Sequence, residues 1–394
     1  MKEDDFSIEK FEEFDKKNHR FFQIDILKAV MIFLVIFDHT YPWDLKNFMG
    51  VALWERISIP VFLVIMGFNM GLSFKQTGET SLRKLYSWNY FKKKFWRYIF
   101  PFFILYIVST ITGLIRYNFD LEAMWYGQHY DIVHGYWRWD VAHLLIGILP
   151  FYGPGNWFIP VIFWSILIMP LLYKGFSGKL KWSIISLCLC YIIELGIISL
   201  FRFVVPLYVS SPAEWQFYYR FTVTSLPFML SVVGLGLWFS RDHDIFSKKN
   251  YFMWILFPLS LAYIIAYQFF NFSFGFELGD YHFLIFPYSA FLVLLALKIF
   301  PKKVKDNNIL VKGIRLISRS TYHILLTQIL YFGIVISLYG GHYGASIFGI
   351  DFGYDPLIVF LYLLINWMIC IPIGTLWYYG ENRIRQLRRS RKKL

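Results

Sequence analysis

Apolar runs of about 20 residues recur along the whole chain, separated by short polar loops. A helix of that length crosses the hydrocarbon core of a bilayer, because each residue adds about 1.5 Å along the helix axis. No long polar stretch remains for a separate soluble domain. The pattern predicts an all-α, polytopic integral membrane bundle of about ten transmembrane helices. The runs lie at approximately 21–39, 57–74, 98–117, 157–173, 182–200, 222–240, 251–270, 283–300, 320–339 and 355–378.

Composition agrees with this prediction. The chain is 57% hydrophobic and 16% charged, whereas about a quarter of the residues in soluble domains are charged. Its cysteines, Cys188, Cys190 and Cys370, all lie inside apolar runs. Three cysteines at membrane depth argue against a disulfide framework or a zinc site, so we expect them to be packing residues.

The distribution of basic residues predicts the orientation of the chain in the membrane. Of the lysines and arginines outside the first run, 32 lie in residues 1–20, in alternate loops and in the tail, and 6 lie in the other loops. The side with more basic residues is expected to be cytoplasmic. We therefore expect a multi-pass protein of the cell membrane with both termini in the cytoplasm. Its parts would be a cytoplasmic segment (1–20), a transmembrane domain (21–378) and a basic cytoplasmic tail (379–394).

The same distribution limits the choice of partners. The net charge of +13 could suggest nucleic acid, but it is concentrated in short loops next to the apolar runs, where anionic lipid headgroups are the expected partner. No small-residue cleavage site follows the run from Phe21 to Phe37, so we expect a retained first helix and not a signal peptide.

The first predicted helix carries four ionisable residues, which are costly at membrane depth and usually face a bundle interior or an aqueous cavity. These residues are Asp25, Lys28, Asp38 and His39. At about 100° per residue, Lys28 and His39 share a face, separated by roughly 16 Å along the axis, and Asp25 lies on the same stripe. Asp25 and Lys28 are also spaced to form an ion pair. The spacing predicts a charged pair near the cytoplasmic end of one face and an imidazole near the other end.

An imidazole can accept a proton from a hydroxyl group near neutral pH, which makes His39 a candidate general base. The structural alternative is an interfacial histidine at a helix end together with a lysine that extends toward the headgroups. Glu194, a lone carboxylate within the fifth run, is a candidate for orienting a substrate; pairing with a neighbouring polar group is the alternative.

The stretch between residues 118 and 156 is rich in aromatic residues and histidines. Its section Val141–Leu149 is too short for a span and is predicted to be re-entrant or interfacial. The histidine spacing fits no zinc pattern. Its aromatic rings could stack on sugars or anchor at the interface. The residues considered are Trp125, His129, His134, Trp137, Arg138, Trp139, Asp140 and His143.

Short motifs in order along the chain resemble the membrane acyltransferase 3 family, which comprises acyl-CoA-dependent acyltransferases. The resemblance extends from Arg20 to about Trp377. Four positions differ from the family pattern: lysine replaces arginine at 28 and 94, methionine replaces serine at 66, and glutamine replaces histidine at 328. The matching segments are Asp25–His39, Ile59–Phe68, Lys93–Pro101, Gly155–Pro160 and Ser318–Gln328.

The resemblance implies transfer of an acyl group, expected to be acetyl, from cytoplasmic acyl-CoA to an acceptor hydroxyl on the outer side. The expected acceptor is a surface polysaccharide, glycan or glycolipid. Acyl-CoA would be a co-substrate, and no permanently bound cofactor or metal is expected. Basic residues would hold the CoA phosphates at the cytoplasmic face. The predicted catalytic residues are His39, Asp25 and Lys28; the predicted acyl-CoA-binding residues are Lys28, Lys93, Lys94 and Arg97; and the predicted substrate residues are Asp38, Trp157, Glu194, Tyr322 and Gln328.

Two other functions remain open from the residues. Buried polar groups also mark transport paths, so a transporter or flippase of a glycan or lipid-linked precursor is the main alternative, although no pair of related halves is visible. A structural membrane protein is the second. Within the acyltransferase interpretation, His39 could act as a base or form a covalent acyl-histidine.

Overall fold

Helices make up almost all the regular structure of the described residues. The structure, a computed structural model, describes residues 21–121, 123–124, 147–208, 226–275, 281–304, 308–339, 346–347, 350–351 and 355–391. The α-helices in chain order are α1 (Phe22–Asp38), α2 (Trp43–Phe48), α3 (Ser58–Thr77), α4 (Leu82–Leu85), α5 (Trp88–Lys94), α6 (Phe100–Arg116), α7 (Phe158–Phe176), α8 (Leu180–Ser199), α9 (Val205–Tyr208), α10 (Leu230–Phe239), α11 (Met253–Phe270), α12 (Phe286–Ile299), α13 (Ile309–Tyr339) and α14 (Pro356–Arg391).

The remaining helical elements are short 3₁₀ and π-helical turns. The 3₁₀ turns are Val51–Leu53, Leu226–Met229 and Lys248–Asn250, and the π-helical turns are Phe95–Ile99 and Leu200–Val204. A small antiparallel pair, β1 (Ser346–Ile347) and β2 (Ile350–Asp351), places Ser346 opposite Asp351. The predicted all-α class is confirmed.

Within the described residues, each of the ten apolar runs coincides with helical structure. Six helical stretches are long and apolar enough to cross a bilayer, judged by length and composition. The protein is therefore an integral membrane protein, while the count of about ten spans and the cytoplasmic termini stay predictions. The six stretches are Val51–Thr77, Leu82–Arg116, Phe158–Phe176, Leu180–Tyr208, Lys248–Phe270 and Pro356–Leu387.

The helices differ in how much of their surface they bury. In the stretch Lys248–Phe270, which contains α11, 22% of the 18-residue apolar segment that could span a membrane is buried inside the protein. The apolar side chains of Ile255 and Leu259 in this helix are exposed. In contrast, α1 buries Asp25 and most of its apolar side chains, and His39, directly after its last residue, is buried as well. Because exposed apolar side chains suit contact with lipid and polar ones do not, α11 belongs at the periphery and α1 in the interior.

The last helix continues past the predicted end of the transmembrane domain. It runs without a break from Pro356 to Arg391. The described part of the basic tail, residues 379–391, is therefore an extension of the same helix and can make fixed contacts with the bundle.

Close packing of α3 against α10 forms part of the bundle core. Gly67 of α3 lies against the backbone carbonyl of Val233, and Gly236 of α10 lies against that of Val64. Small residues at such crossings allow two helix backbones to approach each other. The spacing of Gly67 and Gly71 in the sequence thus corresponds to a packing interface.

We predict that Gly67→Ala destabilises the protein, because the added methyl group would overlap the Val233 carbonyl. Overpacking of this kind costs about 1–3 kcal/mol. The matched control is Gly196→Ala, at a helical glycine with no atom within 4 Å of the added carbon. It should be neutral or stabilising by roughly 0.5–1 kcal/mol. Unfolding midpoints in detergent micelles measure both, and equal midpoints would contradict this packing.

Candidate active site

A cavity of about 90 Å³ lies at the carboxyl end of α1. It is formed by α1, the start of α3, the turn before α7, and α13. Two carboxylates, an imidazole and three aromatic side chains line it, so it combines acid–base groups with apolar surface. The lining residues are Val35, Asp38, His39, Glu55, Ser58, Ile59, Gly155, Trp157, Phe158, Tyr281 and Leu325.

His39 is held in this cavity by Gln328 of α13. Nδ1 of the imidazole lies 2.8 Å from Oε1 of Gln328, and Nε2 of the same amide donates to the Pro154 carbonyl at 3.5 Å. Because the amide nitrogen faces Pro154, its oxygen faces His39 and must receive a proton from Nδ1. Neutral His39 therefore carries its hydrogen on Nδ1 and has its lone pair on Nε2. The glutamine side chain is neither an acid nor a base, but here it fixes the tautomer of His39, the candidate general base.

An ion pair formed by Asp38 and Lys46 lies beside Nε2, the basic nitrogen of His39. Oδ2 of Asp38 lies 3.7 Å from Nε2 of His39. The other carboxylate oxygen pairs with Nζ of Lys46 at 2.5 Å, and the same ammonium donates to the Asp38 carbonyl at 2.9 Å. A carboxylate in this position stabilises the imidazolium that forms when His39 takes up a proton. His39 is 9% exposed, so this charge would act with little screening by water.

Gly155 lines the cavity directly beside the imidazole of His39. Its φ is +90°, a conformation that L side chains rarely adopt, and a Cβ there would lie 2.8 Å from Nε2 of Gln328 and 3.1 Å from Cε1 of His39. The following residue, Asn156, holds the turn, because its side chain accepts from the Leu149 amide at 3.1 Å and donates to the Gly147 carbonyl at 3.0 Å. The Gly-Asn pair thus sets the position of the His39–Gln328 hydrogen bond.

The polar residues at the other end of α1 also contact α13. Oδ1 of Asp25 accepts a hydrogen bond of 2.6 Å from the Ser318 hydroxyl. The Lys28 ammonium donates to the Ser318 backbone carbonyl. Asp25, Lys28 and His39 therefore all face the same helix, in agreement with the shared face expected from their spacing.

Three of the four residues predicted to bind acyl-CoA, Lys93, Lys94 and Arg97, lie around the π-helical turn Phe95–Ile99, while Lys28 lies on α1. Nζ of Lys94 lies 5.5 Å from the ring centroids of both Tyr90 and Tyr98 and contacts the Met70 sulfur. The Arg97 guanidinium lies 5.2 Å from the centroid of the Tyr98 ring. The side chains of Lys93 and Arg97 are exposed, so both are accessible to a large anion.

Two of the predicted substrate residues lie away from the cavity. Tyr322 donates from its hydroxyl to the Tyr98 carbonyl at 3.0 Å, which places it beside the π-helical turn. Glu194 lies between α8 and α10, where its Oε2 accepts from the amide and the hydroxyl of Ser231 at 3.1 and 2.5 Å. The sequence analysis gave two roles for Glu194, orientation of a substrate and pairing with a polar neighbour, and the contact with Ser231 corresponds to the second. Neither residue is among the described residues that line the cavity.

Sequence reasoning missed Glu55 and Tyr281. Glu55 is 1% exposed and lies in the turn before α3, four residues ahead of Ile59. Tyr281 stacks on Trp157 with ring centroids 5.5 Å apart. The only sequence signal for Glu55 was its position as an acidic residue just before the apolar run of α3. Tyr281 had no such signal, because its stacking partner Trp157 is distant in sequence.

The candidate residues of the aromatic stretch lie outside the described residues. They are Trp125, His129, His134, Trp137, Arg138, Trp139, Asp140 and His143. Within the described part of the chain, no group of three or more His, Cys, Asp and Glu side chains is arranged to hold a metal ion.

Comparison with known families identifies the class of protein. Residues 21–377 match the family described as an acyltransferase domain, which is the membrane acyltransferase 3 family. The match covers all helices that form the cavity and the π-helical turn, and the chain belongs to this family. It is an integral membrane acyltransferase. Searches of curated proteins and of solved structures gave no significant match.

We predict that Gly155→Ala lowers acyl transfer by about 100-fold, because the added carbon displaces the imidazole of His39, the candidate catalytic group, and displacing a catalytic group by about 1 Å has an effect of this size. The control is Gly78→Ala, which has φ +67° and no atom within 4 Å of the added carbon. It should share the cost of a side chain at positive φ and keep its activity. Transfer of a radiolabelled acyl group in isolated membranes measures the rates, and equal rates for the two variants would contradict this arrangement.

Proposed function

We propose that the protein transfers an acetyl group from cytoplasmic acetyl-CoA to a hydroxyl of an outer glycan or glycolipid, with His39 as general base. The observation that carries this proposal is the hydrogen bond between Nδ1 of His39 and Oε1 of Gln328. It leaves the lone pair of Nε2 in a cavity with Asp38, roughly 16 Å along α1 from the Lys28 side.

The proposed reaction begins when the acceptor hydroxyl donates a hydrogen bond to Nε2 of His39. The oxygen attacks the thioester carbonyl carbon as its proton moves to Nε2, which gives a tetrahedral intermediate. The carbon–sulfur bond then breaks, and the imidazolium returns the proton to the departing thiolate. The products are the acetyl ester and CoA with a free thiol. Asp38 stabilises the imidazolium between the two steps, and Lys46 holds Asp38.

The donor is proposed to approach from the side of the π-helical turn. CoA is polyanionic and cannot cross the hydrocarbon, so its phosphates remain at the face with more basic residues. Exposed Lys93 and Arg97, with Lys94 between them, offer cations there. Lys28, whose ammonium donates to the Ser318 carbonyl, is proposed to contact the donor further along α1. The pantetheine arm would then extend along α1 toward His39.

The walls of the cavity favour a sugar as the acceptor. The stacked rings of Trp157 and Tyr281 provide an apolar wall, and the carboxylates of Glu55 and Asp38 can accept hydrogen bonds from hydroxyl groups. A sugar ring has apolar faces and a rim of hydroxyls. Aromatic and acidic side chains together therefore suit it better than they suit a purely apolar acceptor.

We predict that His39→Ala reduces acetyl transfer by about 10²–10⁴-fold, the usual contribution of a general base. The control is His243→Ala, because His243 contacts Phe21 and Phe68 away from the cavity. It should retain transfer. The measurements are radiolabel transfer by the purified protein and mass spectrometry of surface glycans from cells that express each variant.

Three results would contradict the proposal. Full transfer by His39→Ala would remove this residue from the mechanism. Movement of a labelled glycan across the membrane without an added acetyl group would favour a transporter. Radiolabel that stays on His39 when acceptor is withheld would replace the general base by a covalent acyl-histidine.

A further inference from the structure

The π-helical turn Phe95–Ile99 is fixed by side chains from two distant helices. Such turns are rare, often occur at functional sites, and disturb the regular i→i−4 hydrogen bonding of the helix. Carbonyl groups in the turn can then accept from other donors. Here the Trp96 carbonyl accepts from the Arg385 guanidinium, and the Tyr98 carbonyl accepts from the Tyr322 hydroxyl.

Arg385 is itself held by a buried network. It pairs with Glu381, which precedes it by one turn of α14. The other carboxylate oxygen of Glu381 lies 2.9 Å from Nε2 of His323 in α13. Glu381 is 6% exposed and His323 is 5% exposed. The network therefore links α14, α13 and the turn; Glu381 and His323 are shielded from water, and the side chain of Arg385 is 25% exposed.

The planar group of Arg385 also lies over two aromatic rings, one in the turn and one at the first residue of α6. Its Cζ lies 5.7 Å from the Trp96 ring centroid and 6.0 Å from that of Phe100. A guanidinium can stack and donate several hydrogen bonds in fixed directions at once, and an ammonium cannot. Because its donors point to Glu381 and to the Trp96 carbonyl, Arg385 is engaged with the protein and acts on the turn.

We propose that Arg385, oriented by Glu381 and His323, is a positioning residue for the acyl-CoA donor. The turn that it fixes carries Arg97 and follows directly on Lys93 and Lys94, so its conformation sets the spacing of these three cations. Loss of the network lets the turn revert to regular α-helix, which rotates Arg97 relative to the two lysines. This inference rests on the proposed use of acyl-CoA, and it assigns a role in donor binding to the basic tail.

The test uses the purified full-length protein in nanodiscs. Dissociation constants for CoA are measured together with initial rates over a range of acetyl-CoA concentrations. Arg385→Ala and Glu381→Gln should each raise the Kd for CoA and the KM for acetyl-CoA about 10-fold, the usual size for loss of an ordered charge-assisted contact. They should leave kcat at saturating donor within about twofold, because His39 is untouched.

Two further variants separate positioning from charge. Arg383→Ala removes the same charge from the exposed side of the same helix and should bind CoA as the wild type does. Arg385→Lys keeps the charge but lacks the planar fork, so it should bind CoA as weakly as Arg385→Ala. Amide hydrogen exchange in residues 95–100 should be faster in the Arg385 variants and unchanged in Arg383→Ala.

Several outcomes would overturn this inference and leave the proposed function standing. These are wild-type CoA affinity in both Arg385→Ala and Glu381→Gln, equal weakening by Arg383→Ala, or full binding by Arg385→Lys. If Arg385→Ala does not yield folded protein, Glu381→Gln decides the matter, because it preserves the size of the side chain. Failure of the wild type to bind CoA would instead contradict the proposed function, as would transfer by His39→Ala.

Discussion

The contact between α1 and α13 is the constraint on which the site depends. At one end Asp25 and Lys28 both bind Ser318, and at the other end His39 binds Gln328. From the first of these contacts to the second, residue numbers increase along both helices, so the two helices run parallel. That direction is required if they are the first and ninth of ten membrane spans. Polar contacts inside an apolar bundle have few competing partners, so they fix the register of α1 against α13.

The same helix connects the two ends of the proposed reaction. Gln328 of α13 orients the imidazole, while Tyr322 and His323, between one and two turns earlier, contact the π-helical turn and the network of α14. A shift of α13 along its axis would therefore disturb both the base and the cations of the donor side. This arrangement explains why buried polar residues are concentrated on α1 and α13 while α11 shows apolar side chains to its surroundings.

Much of the fold could be predicted from the sequence, because the length and apolarity of a helix that spans a membrane are local properties. The shared face of Lys28 and His39 follows from helix periodicity alone. The sequence could not reveal the partners of these residues, which lie about 290 positions away. Gln328 illustrates the difficulty: it replaces the histidine of the family pattern and cannot act as an acid or base, but its amide sets the tautomer of His39.

Local sequence also gave no sign of the π-helical turn. Phe95–Ile99 has the apolar and basic residues of an ordinary helix, and the turn becomes visible only with the donors that Arg385 and Tyr322 bring from other helices. Glu55 was missed for a related reason. A carboxylate in a short turn is unremarkable in sequence, and only the packing of α1, α3 and α7 makes it a wall of the cavity.

The most direct test of the central claim is an experimental structure with a non-hydrolysable acetyl-CoA analogue. The account predicts that the phosphates contact Lys93 and Arg97, that the pantetheine arm follows α1, and that the acetyl carbonyl carbon lies within about 4 Å of Nε2 of His39, allowing for the approach of an acceptor. An analogue whose acetyl group ends elsewhere, with Lys28 and His39 separated from it by packed side chains, would contradict the account.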